Sequence, residues 1–222
     1  MINDINNTLI DVDHVYICHW DKLVERKQHI LEQLKIQDIK NYSFVTLYDI
    51  KNWNVKEIKK EYPFIFDKDP KDNRFLKMSE ISLLLKHCWC IIDAYNKNYD
   101  SIMILEDDVV FCNNFIHYFN NFKKQLPKEW DCSWVGGCCN LYKQISDPNI
   151  NVYPSNTSRC CHCYILSKDG INKIVKEIKN INQVIDWYFN DIIPRLGLNA
   201  FWFEPALAMQ SLIFNSTVQI EE

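Results

Sequence analysis

Three consecutive carboxylates follow an apolar run near the middle of the chain. The run Ile102–Leu105 is typical of a strand that is buried on both faces of a sheet. Glu106, Asp107 and Asp108 come next, and because like charges repel, a fold gains little from placing them together unless a cation compensates them. Carboxylate oxygens suit Mg²⁺, Mn²⁺ or Ca²⁺, and open α/β sheets bind ligands just beyond the carboxyl ends of their strands. The stretch indicates a divalent-metal site or, alternatively, an acidic and solvated corner.

Four other residues have side chains or backbone properties that suit a ligand site. Arg26 lies at the start of a helical pattern, where the helix dipole disfavours a cation, so we predict that it binds a phosphate or a core carboxylate unless it is simply solvated. Gly136 and Gly137 follow the short strand pattern of Cys132–Val135, where they permit either close approach of a ligand or a tight turn. His87 borders the apolar face of a helix, where a packing histidine is commoner than a ligand.

Ten cysteines raise the questions of zinc and of disulfides. The possible zinc ligands lie in two short stretches, comprising Cys138, Cys139, Cys160, Cys161, His162 and Cys163. Structural zinc sites favour ligands spaced by about two to four residues, and consecutive strand residues point to opposite faces, so we interpret these cysteines as small buried hydrophobic residues. The N-terminus lacks the basic and apolar regions of a secretory signal, so we expect ten free thiols and a cytoplasmic location.

Length and composition predict one domain with a substantial core. The chain has 222 residues, of which 47 % are hydrophobic, and a net charge of −4. This charge argues against general binding of nucleic acids through their phosphates, and the apolar runs are too short to span a bilayer. Without a linker of Pro, Gly or Ser, residues 13–222 are predicted to form a single domain behind a loose leader, residues 1–12.

Strand and helix patterns alternate along the chain, as in α/β proteins. Strands are predicted at 15–18, 42–47, 102–105, 132–135, 161–166 and 200–203, and helices within 23–36, 79–95, 115–126, 167–181 and 182–197. Ser79 is the predicted N-cap of the second helix. Residues 50–75 and 140–158 lack a clear period, so we predict that they are functional loops, the second one a mobile lid.

The order of these parts resembles that of glycosyltransferase family 25, which includes lipooligosaccharide and collagen galactosyltransferases. The matching segments are HWDKLVER ending in Arg26 for N-L-D-R-R-x-D-R, Glu80–His87 for E-I-G-C-x-L-S-H, Leu105–Val109 for L-E-D-D-V, Cys163–Ser167 for a-Y-i-l-S, Asp186 for v-D-x-y-l, and Pro205, Leu207 and Gln210 for P-x-L-x-x-Q. The chain departs from the family at His19, usually Asn, and at Lys86, usually Ser. The resemblance covers most of the chain, from about residue 15 to residue 210.

The resemblance implies a GT-A-like fold, an α/β domain whose mostly parallel sheet is flanked by helices. It also implies inverting transfer of galactose or a related hexose from a UDP-sugar to a hydroxyl group of a glycan or protein acceptor. Mn²⁺, or Mg²⁺, would bridge the diphosphate and assist its departure. A degenerate family member that binds without turnover is the alternative, and an unrelated metal phosphatase or nuclease is a third possibility.

Roles for individual residues follow from the resemblance together with the residue types. Asp108 is the expected metal ligand, with Glu106 as a second ligand or a ribose contact. Asp186 is the expected base that deprotonates the acceptor hydroxyl, and Asp191 is the next candidate. Trp187 and Tyr188, which follow Asp186, are expected to stack on a sugar ring. The expected contacts to the nucleotide sugar come from Arg26, His87, Gly136 and Gly137.

Overall fold

The computed structural model describes residues 9–138 and 140–214, which form one large sheet, one small sheet and the surrounding helices. The strands are β1 (His14–Cys18), β2 (Tyr42–Val45), β3 (Ser101–Glu106), β4 (Val109–Phe111), β5 (Cys132–Trp134), β6 (Val152–Ser155), β7 (Cys163–Ser167), β8 (Ala200–Phe203) and β9 (Ala208–Gln210). The α-helices are α1 (Val24–Ile36), α2 (Val55–Glu61), α3 (Met78–Asn96), α4 (Phe115–Lys123), α5 (Lys168–Ile174) and α6 (Ile185–Leu196). Short 3₁₀ helices occupy Ile50–Asn52 and Ile178–Asn180.

The large sheet has seven strands in the order β2-β1-β3-β7-β5-β8-β6 within the described residues. β7 and β6 run antiparallel to their neighbours, whereas the other five strands point the same way. β4 pairs with β9 in the small sheet. The predicted α/β class, with a mostly parallel sheet flanked by helices, is therefore confirmed.

The strand that precedes the acidic residues lies inside the sheet, between β1 and β7. Ile102, Met103, Ile104 and Leu105 are all completely buried, as predicted. Ile102 and Ile104 pack in the apolar layer that includes α3, α5 and α6, whereas Met103 and Leu105 pack in the opposite layer with α1 and α4. Both faces of β3 are thus covered, because successive strand residues point to opposite sides.

The topology brings several chain segments to one edge of the sheet. β1, β2 and β3 are parallel, so their carboxyl ends meet there. β7 is antiparallel to both β3 and β5, so its first residue lies at the same edge as the end of β3 and the end of β5. This arrangement collects the acidic residues, the residue after β1, the glycines after β5 and the residues just before β7.

Several predicted boundaries differ from the structure, most of them by a few residues at an end. α3 begins at Met78 with Lys77 as its N-cap, because the Glu80 carboxylate accepts from the Lys77 backbone N–H (2.8 Å) and so takes the capping role given to Ser79. β7 begins at Cys163 rather than at residue 161. The region 140–158 contains the edge strand β6, so it is only partly loop.

The predicted leader lies partly outside the described residues. Residues 1–8 are not described, whereas residues 9–12 are held against α4. The backbone N–H of Asp11 donates to Asn120 Oδ1 at 2.9 Å, and Asn120 Nδ2 donates to the carbonyl of Leu9 at 2.9 Å. Within the described ranges no helix has both the length and the apolar character needed to cross a bilayer.

Candidate functional site

Asp107 and Asp108 form the turn between β3 and β4, and both are bound by Arg26 of α1. One guanidinium nitrogen, NH1 of Arg26, donates to Asp107 Oδ1 at 2.9 Å and to Asp108 Oδ2 at 3.0 Å. All three side chains are at least nine-tenths buried. Of the two roles predicted for Arg26, the structure favours contact with core carboxylates.

The remaining carboxylate oxygens of this turn have different surroundings. His19, just after β1, contacts Asp107 Oδ2 through Nδ1 at 2.6 Å. Gln210 Nε2 donates to Asp108 Oδ2 at 3.1 Å, and the backbone of Ser211 donates to the carbonyl of Asp108. Asp108 Oδ1 is buried and has no hydrogen-bond partner in the described part of the chain. Among the carboxylate oxygens of Asp107 and Asp108, Oδ1 of Asp108 is therefore the one that remains available to a ligand.

A buried ion pair holds the residue after β1 in place. Lys86 Nζ, on α3, donates to Asp49 Oδ1 at 2.5 Å and to the carbonyl of His19 at 2.7 Å. Asp49 is fully buried, and its other oxygen accepts from the backbone of Asp21. His19 and Lys86 are the two named departures from the family pattern, and they contact each other. α3 thereby joins the carboxyl ends of β1 and β2.

Glu106 faces His87 rather than the arginine. His87 is fully buried, its Nδ1 lies 2.9 Å from the Tyr164 hydroxyl, and its Nε2 lies 3.8 Å from Glu106 Oε1. Burial lowers the pKa of His87, but the Cys18 thiol group and Glu106 outweigh it and raise that pKa to about 10. Burial raises the pKa of Glu106 to about 7 against the opposing effect of His87. His87 is thus a buried packing residue that also faces the first acid.

The two glycines after β5 are covered by side chains of the same protein. A Cβ atom on Gly136 would lie 2.3 Å from His162 Nε2, and a Cβ atom on Gly137 would lie 2.8 Å from Arg159 Nε. Arg159 is buried and bonds to the Glu204 carboxylate at 2.7 Å and to the carbonyl of Phe203 at 2.7 Å. Glycine is therefore required here for close packing of His162 and Arg159, a reason that the sequence alone did not suggest.

Residues 158–162, which we call the bridging segment, connect α6 to the acidic turn. At one end Ser158 Oγ donates to the carbonyl of Asp186 at 3.1 Å, and the backbone of Ser158 donates to Asn190 Oδ1 at 2.6 Å. At the other end the carbonyl of His162 accepts from the backbone of Glu106 at 3.0 Å. The segment therefore places Asp186 and the acidic turn in one region of the molecule.

The two candidate bases on α6 differ in environment. Asp186 lies in the first turn, its Oδ1 is buried without a hydrogen-bond partner in the described ranges, and its charge acts on Glu106, Cys161 and His162. Asp191 has a half-exposed side chain that pairs with Arg195 at 3.2 Å. The structure thus brings Asp186 to the acidic cluster and pairs Asp191 on the helix surface.

The two aromatic residues that follow Asp186 are not equivalent. Trp187 is 38 % exposed, and Lys71 Nζ lies 3.9 Å from the centre of its ring. Tyr188 is only 4 % exposed and packs in the main core. The expectation that both rings stack on a sugar is therefore wrong for Tyr188, whereas Trp187 keeps an exposed face.

A disulfide joins Cys138 to Cys160, so the expectation of ten free thiols is wrong. The bond connects the residue after the paired glycines to the middle of the bridging segment. Seven cysteines are free thiols, and Cys139 lies outside the described residues. The pairing joins two of the positions considered as zinc ligands.

The donor set at the acidic turn is small. No group of three or more His, Cys, Asp or Glu side chains among the described residues is arranged to hold a metal ion. Asp108 Oδ1 and the partly exposed Glu106 nevertheless offer one or two carboxylates. Such a set suits Mg²⁺ or a similar ion when substrate phosphates supply further ligands. The residues therefore fit a cation that binds together with a diphosphate.

Sequence reasoning missed the partners of the acids rather than the acids themselves. His19 was noted only as a departure from the family, and Gln210 only as part of a C-terminal motif. His162 was considered only for zinc. Their positions in the sequence could have indicated these three residues, because each of them lies next to a strand end or within a late strand.

Comparison with solved structures identifies similar folds. The structure is similar to a glycosyltransferase involved in glycosylation of the major capsid of PBCV-1, with a TM-score of 0.51, 11 % identity, and coverage of 91 % of this chain and 93 % of that one. A197 from STIV is also similar, with a TM-score of 0.41, 11 % identity, and coverage of 94 % of this chain and 97 % of that one. The fold is GT-A-like.

The family follows from the sequence itself. The model of glycosyltransferase family 25 (LPS biosynthesis protein) matches residues 12–143, which is more than half of the chain. The protein therefore belongs to glycosyltransferase family 25. No curated protein matches the chain in the corresponding search.

Proposed function

We propose that the protein is an inverting glycosyltransferase that moves galactose or a related hexose from a UDP-sugar to a hydroxyl group of a glycan or protein acceptor. The observation that carries this proposal is Asp108 Oδ1, a buried carboxylate oxygen without a partner in the described residues, just beyond the central strand of a family 25 protein. A buried carboxylate oxygen without a hydrogen-bond partner is costly, so its retention suggests a ligand. Membership of the family supports the class of reaction, and Asp108 Oδ1 supports the proposed location of the metal ion.

Asp108 and Glu106 would hold Mn²⁺ or Mg²⁺ when the nucleotide diphosphate completes its coordination. When bound, the ion would neutralise negative charge on the departing UDP. Arg26 keeps the Asp108 carboxylate oriented through Oδ2, and Gln210 holds the same oxygen from the other chain segment. Neither contact uses Oδ1, which would remain for the ion.

Asp186 would accept the proton of the acceptor hydroxyl as that oxygen attacks the anomeric carbon. Its Oδ1 makes no competing hydrogen bond in the described chain, and Ser158 fixes its backbone. Trp187, with its exposed ring beside Asp186, would contact the sugar of the acceptor. Asp191 is less suited to the role, because it already pairs with Arg195 on the surface.

The test is a screen of nucleotide sugars in the presence of Mn²⁺, scored by release of nucleoside diphosphate and by product mass. We expect release from a UDP-hexose, loss of release with excess EDTA, and loss of Mn²⁺-dependent UDP binding in Asp108→Asn. Asp191→Asn is the matched control, because it removes an exposed carboxylate that we expect to be dispensable. Full activity in EDTA, or activity with none of the UDP-sugars, would contradict the proposal.

One observation favours the degenerate alternative, namely that the chain itself already pairs every acid of the turn. Asp107 and Asp108 contact Arg26, and Glu106 faces His87. Such a site stays charge-compensated without a metal or a substrate. Binding of UDP-sugar without release of UDP, across a panel of glycan acceptors, would support this alternative.

A further inference from the structure

We propose that His162 binds a hydroxyl group of the transferred sugar and so helps to select the donor; this inference rests on the proposed function. His162 is 2 % exposed; its Nε2 edge lies against Gly136 and the backbone of Ala208, whereas its Nδ1 has no hydrogen-bond partner among the residues that the structure describes. A buried imidazole normally has partners, because leaving its polar atoms unpaired costs free energy. A ligand that enters the site would supply them.

The imidazole of His162 lies between Asp108, beside which the diphosphate would bind, and Asp186, the expected base. His162 belongs to the bridging segment, in which Ser158 bonds to the carbonyl of Asp186 and the carbonyl of His162 accepts from the backbone of Glu106, so it lies between the expected base and the expected diphosphate side. The transferred sugar must occupy the space between the diphosphate and the base during direct displacement. His162 is therefore placed beside the sugar rather than beside the nucleoside.

The surrounding backbone fixes this position. The carbonyl of His162 accepts from the backbone of Glu106 at 3.0 Å, so the acidic turn and the histidine are directly joined. Gly136 lies against the ring so closely that a Cβ atom would come within 2.3 Å of Nε2. The glycine thus makes room for the ring, and the hydrogen bond to Glu106 fixes the position of His162 at the edge of the sheet.

The chemistry favours a hydroxyl group over a phosphate. A neutral imidazole offers one donor and one acceptor, as a sugar hydroxyl does, whereas phosphate oxygens only accept and are bound best by cations. Because the Nε2 edge already lies against Gly136 and the backbone of Ala208, Nδ1 is the nitrogen left for a ligand. A hydroxyl group of a polyol such as a hexose, which can both donate and accept, fits that nitrogen.

The experiment compares binding of UDP with binding of UDP-galactose and UDP-glucose, by calorimetry with Mn²⁺ and without acceptor. His162→Ala should weaken the preferred UDP-sugar about three- to tenfold and leave UDP within twofold, because only the sugar contact is lost. His162→Gln, which keeps a donor and an acceptor, should recover part of the loss. The matched control is His117→Ala, an exposed histidine on α4.

Deoxy analogues of the preferred UDP-sugar identify the contact directly. One deoxy sugar should bind the wild-type protein several-fold more weakly, and this difference should disappear in His162→Ala and in Gly136→Ala, where the added Cβ atom displaces the ring. If the alanine variant does not fold, His162→Phe, which keeps a ring but has no hydrogen-bonding group, replaces it in the same comparison.

The outcomes separate this inference from the proposed function. Equal weakening of UDP and UDP-sugar, or a deoxy penalty that persists in every His162 variant, would overturn the assignment of His162 while leaving glycosyltransfer intact. Failure of the wild-type protein to bind any UDP-sugar would instead overturn the proposed donor and, with it, this inference.

Discussion

Replacing Arg26 with Gln should destabilise the protein far more than replacing an exposed arginine. Arg26 bridges Asp107 and Asp108 from a position that is only 6 % exposed. Removal of one partner from a buried ion pair costs about 3–5 kcal/mol, because the other charge stays buried without compensation. Asp107 would keep its contact with His19, so the stranded charge is chiefly that of Asp108. The expected loss is therefore at the lower end, about 3 kcal/mol.

This loss is measurable by urea unfolding with EDTA present, so that a metal cannot replace the missing cation. With a denaturant slope of about 2–3 kcal/mol per molar for a domain of this size, the unfolding midpoint should fall by about 1–1.5 M. Arg195→Gln is the matched control, because Arg195 pairs with Glu177 and Asp191 while its side chain is 44 % exposed. Exposed pairs contribute about 0–1 kcal/mol, so its midpoint should fall by less than about 0.5 M.

A double variant tests the reasoning about charge. In the Arg26→Gln background, Asp108→Asn removes the stranded carboxylate, so the double variant should be more stable than Arg26→Gln alone. If Asp108→Asn instead adds a further loss, the cost of Arg26→Gln comes from packing and the electrostatic explanation is refuted. Equal midpoints for Arg26→Gln and Arg195→Gln would refute the burial argument as well.

Three further predictions concern the core, a cap and the base. Leu105→Ala, at a fully buried position of the central strand, should cost about 2–5 kcal/mol by urea unfolding, and a loss below 1 kcal/mol would contradict its buried place. Burial tends to raise the pKa of Glu80, but hydrogen bonds from Arg74 and the backbone of residue 77 lower it overall. The stabilisation that Glu80 provides should thus be present above about pH 4.5 and lost as pH falls through its lower folded-state value, so Glu80→Gln should destabilise most at neutral pH, and its difference from the wild type should shrink as pH falls below about 4.5. Asp186→Asn should leave the affinity for UDP-sugar unchanged and lower kcat about 10²–10⁴-fold, and turnover within a few-fold of wild type would contradict its role as base.

The core of the fold was predictable because its signals are local. Ile102–Leu105 reads as a strand covered on both faces, and α3 shows a regular apolar face. β6 was not predicted, because it is a short edge strand that contains Pro154 and buries none of its four residues fully. Its place in the sheet comes from pairing with β8, a contact between distant parts of the chain.

The candidate site was predictable only as far as its residues lie close together in sequence. The run of three acids is visible directly, whereas Arg26 is 81 positions away from the Asp107 that it binds. The Cys138–Cys160 disulfide depends in the same way on a spatial approach, between the paired glycines and the bridging segment. Neither the spacing rules for zinc ligands nor the lack of a secretory signal indicates that these two segments lie close together in the fold.

The partners of the acids change the argument for a metal ion. From sequence alone, the repulsion among Glu106, Asp107 and Asp108 indicated either a bound cation or an acidic, solvated corner. In the structure Arg26 contacts two of these acids and His87 faces the third, so the protein relieves most of that repulsion itself. The NH1 atom of Arg26 is already bonded to the two carboxylates. Under the proposed function, Mn²⁺ or Mg²⁺ would therefore be needed chiefly for the charge of the nucleotide sugar rather than for the charge of the protein. Asp108 would offer such an ion one unpaired oxygen, and the described residues contain no complete metal cage.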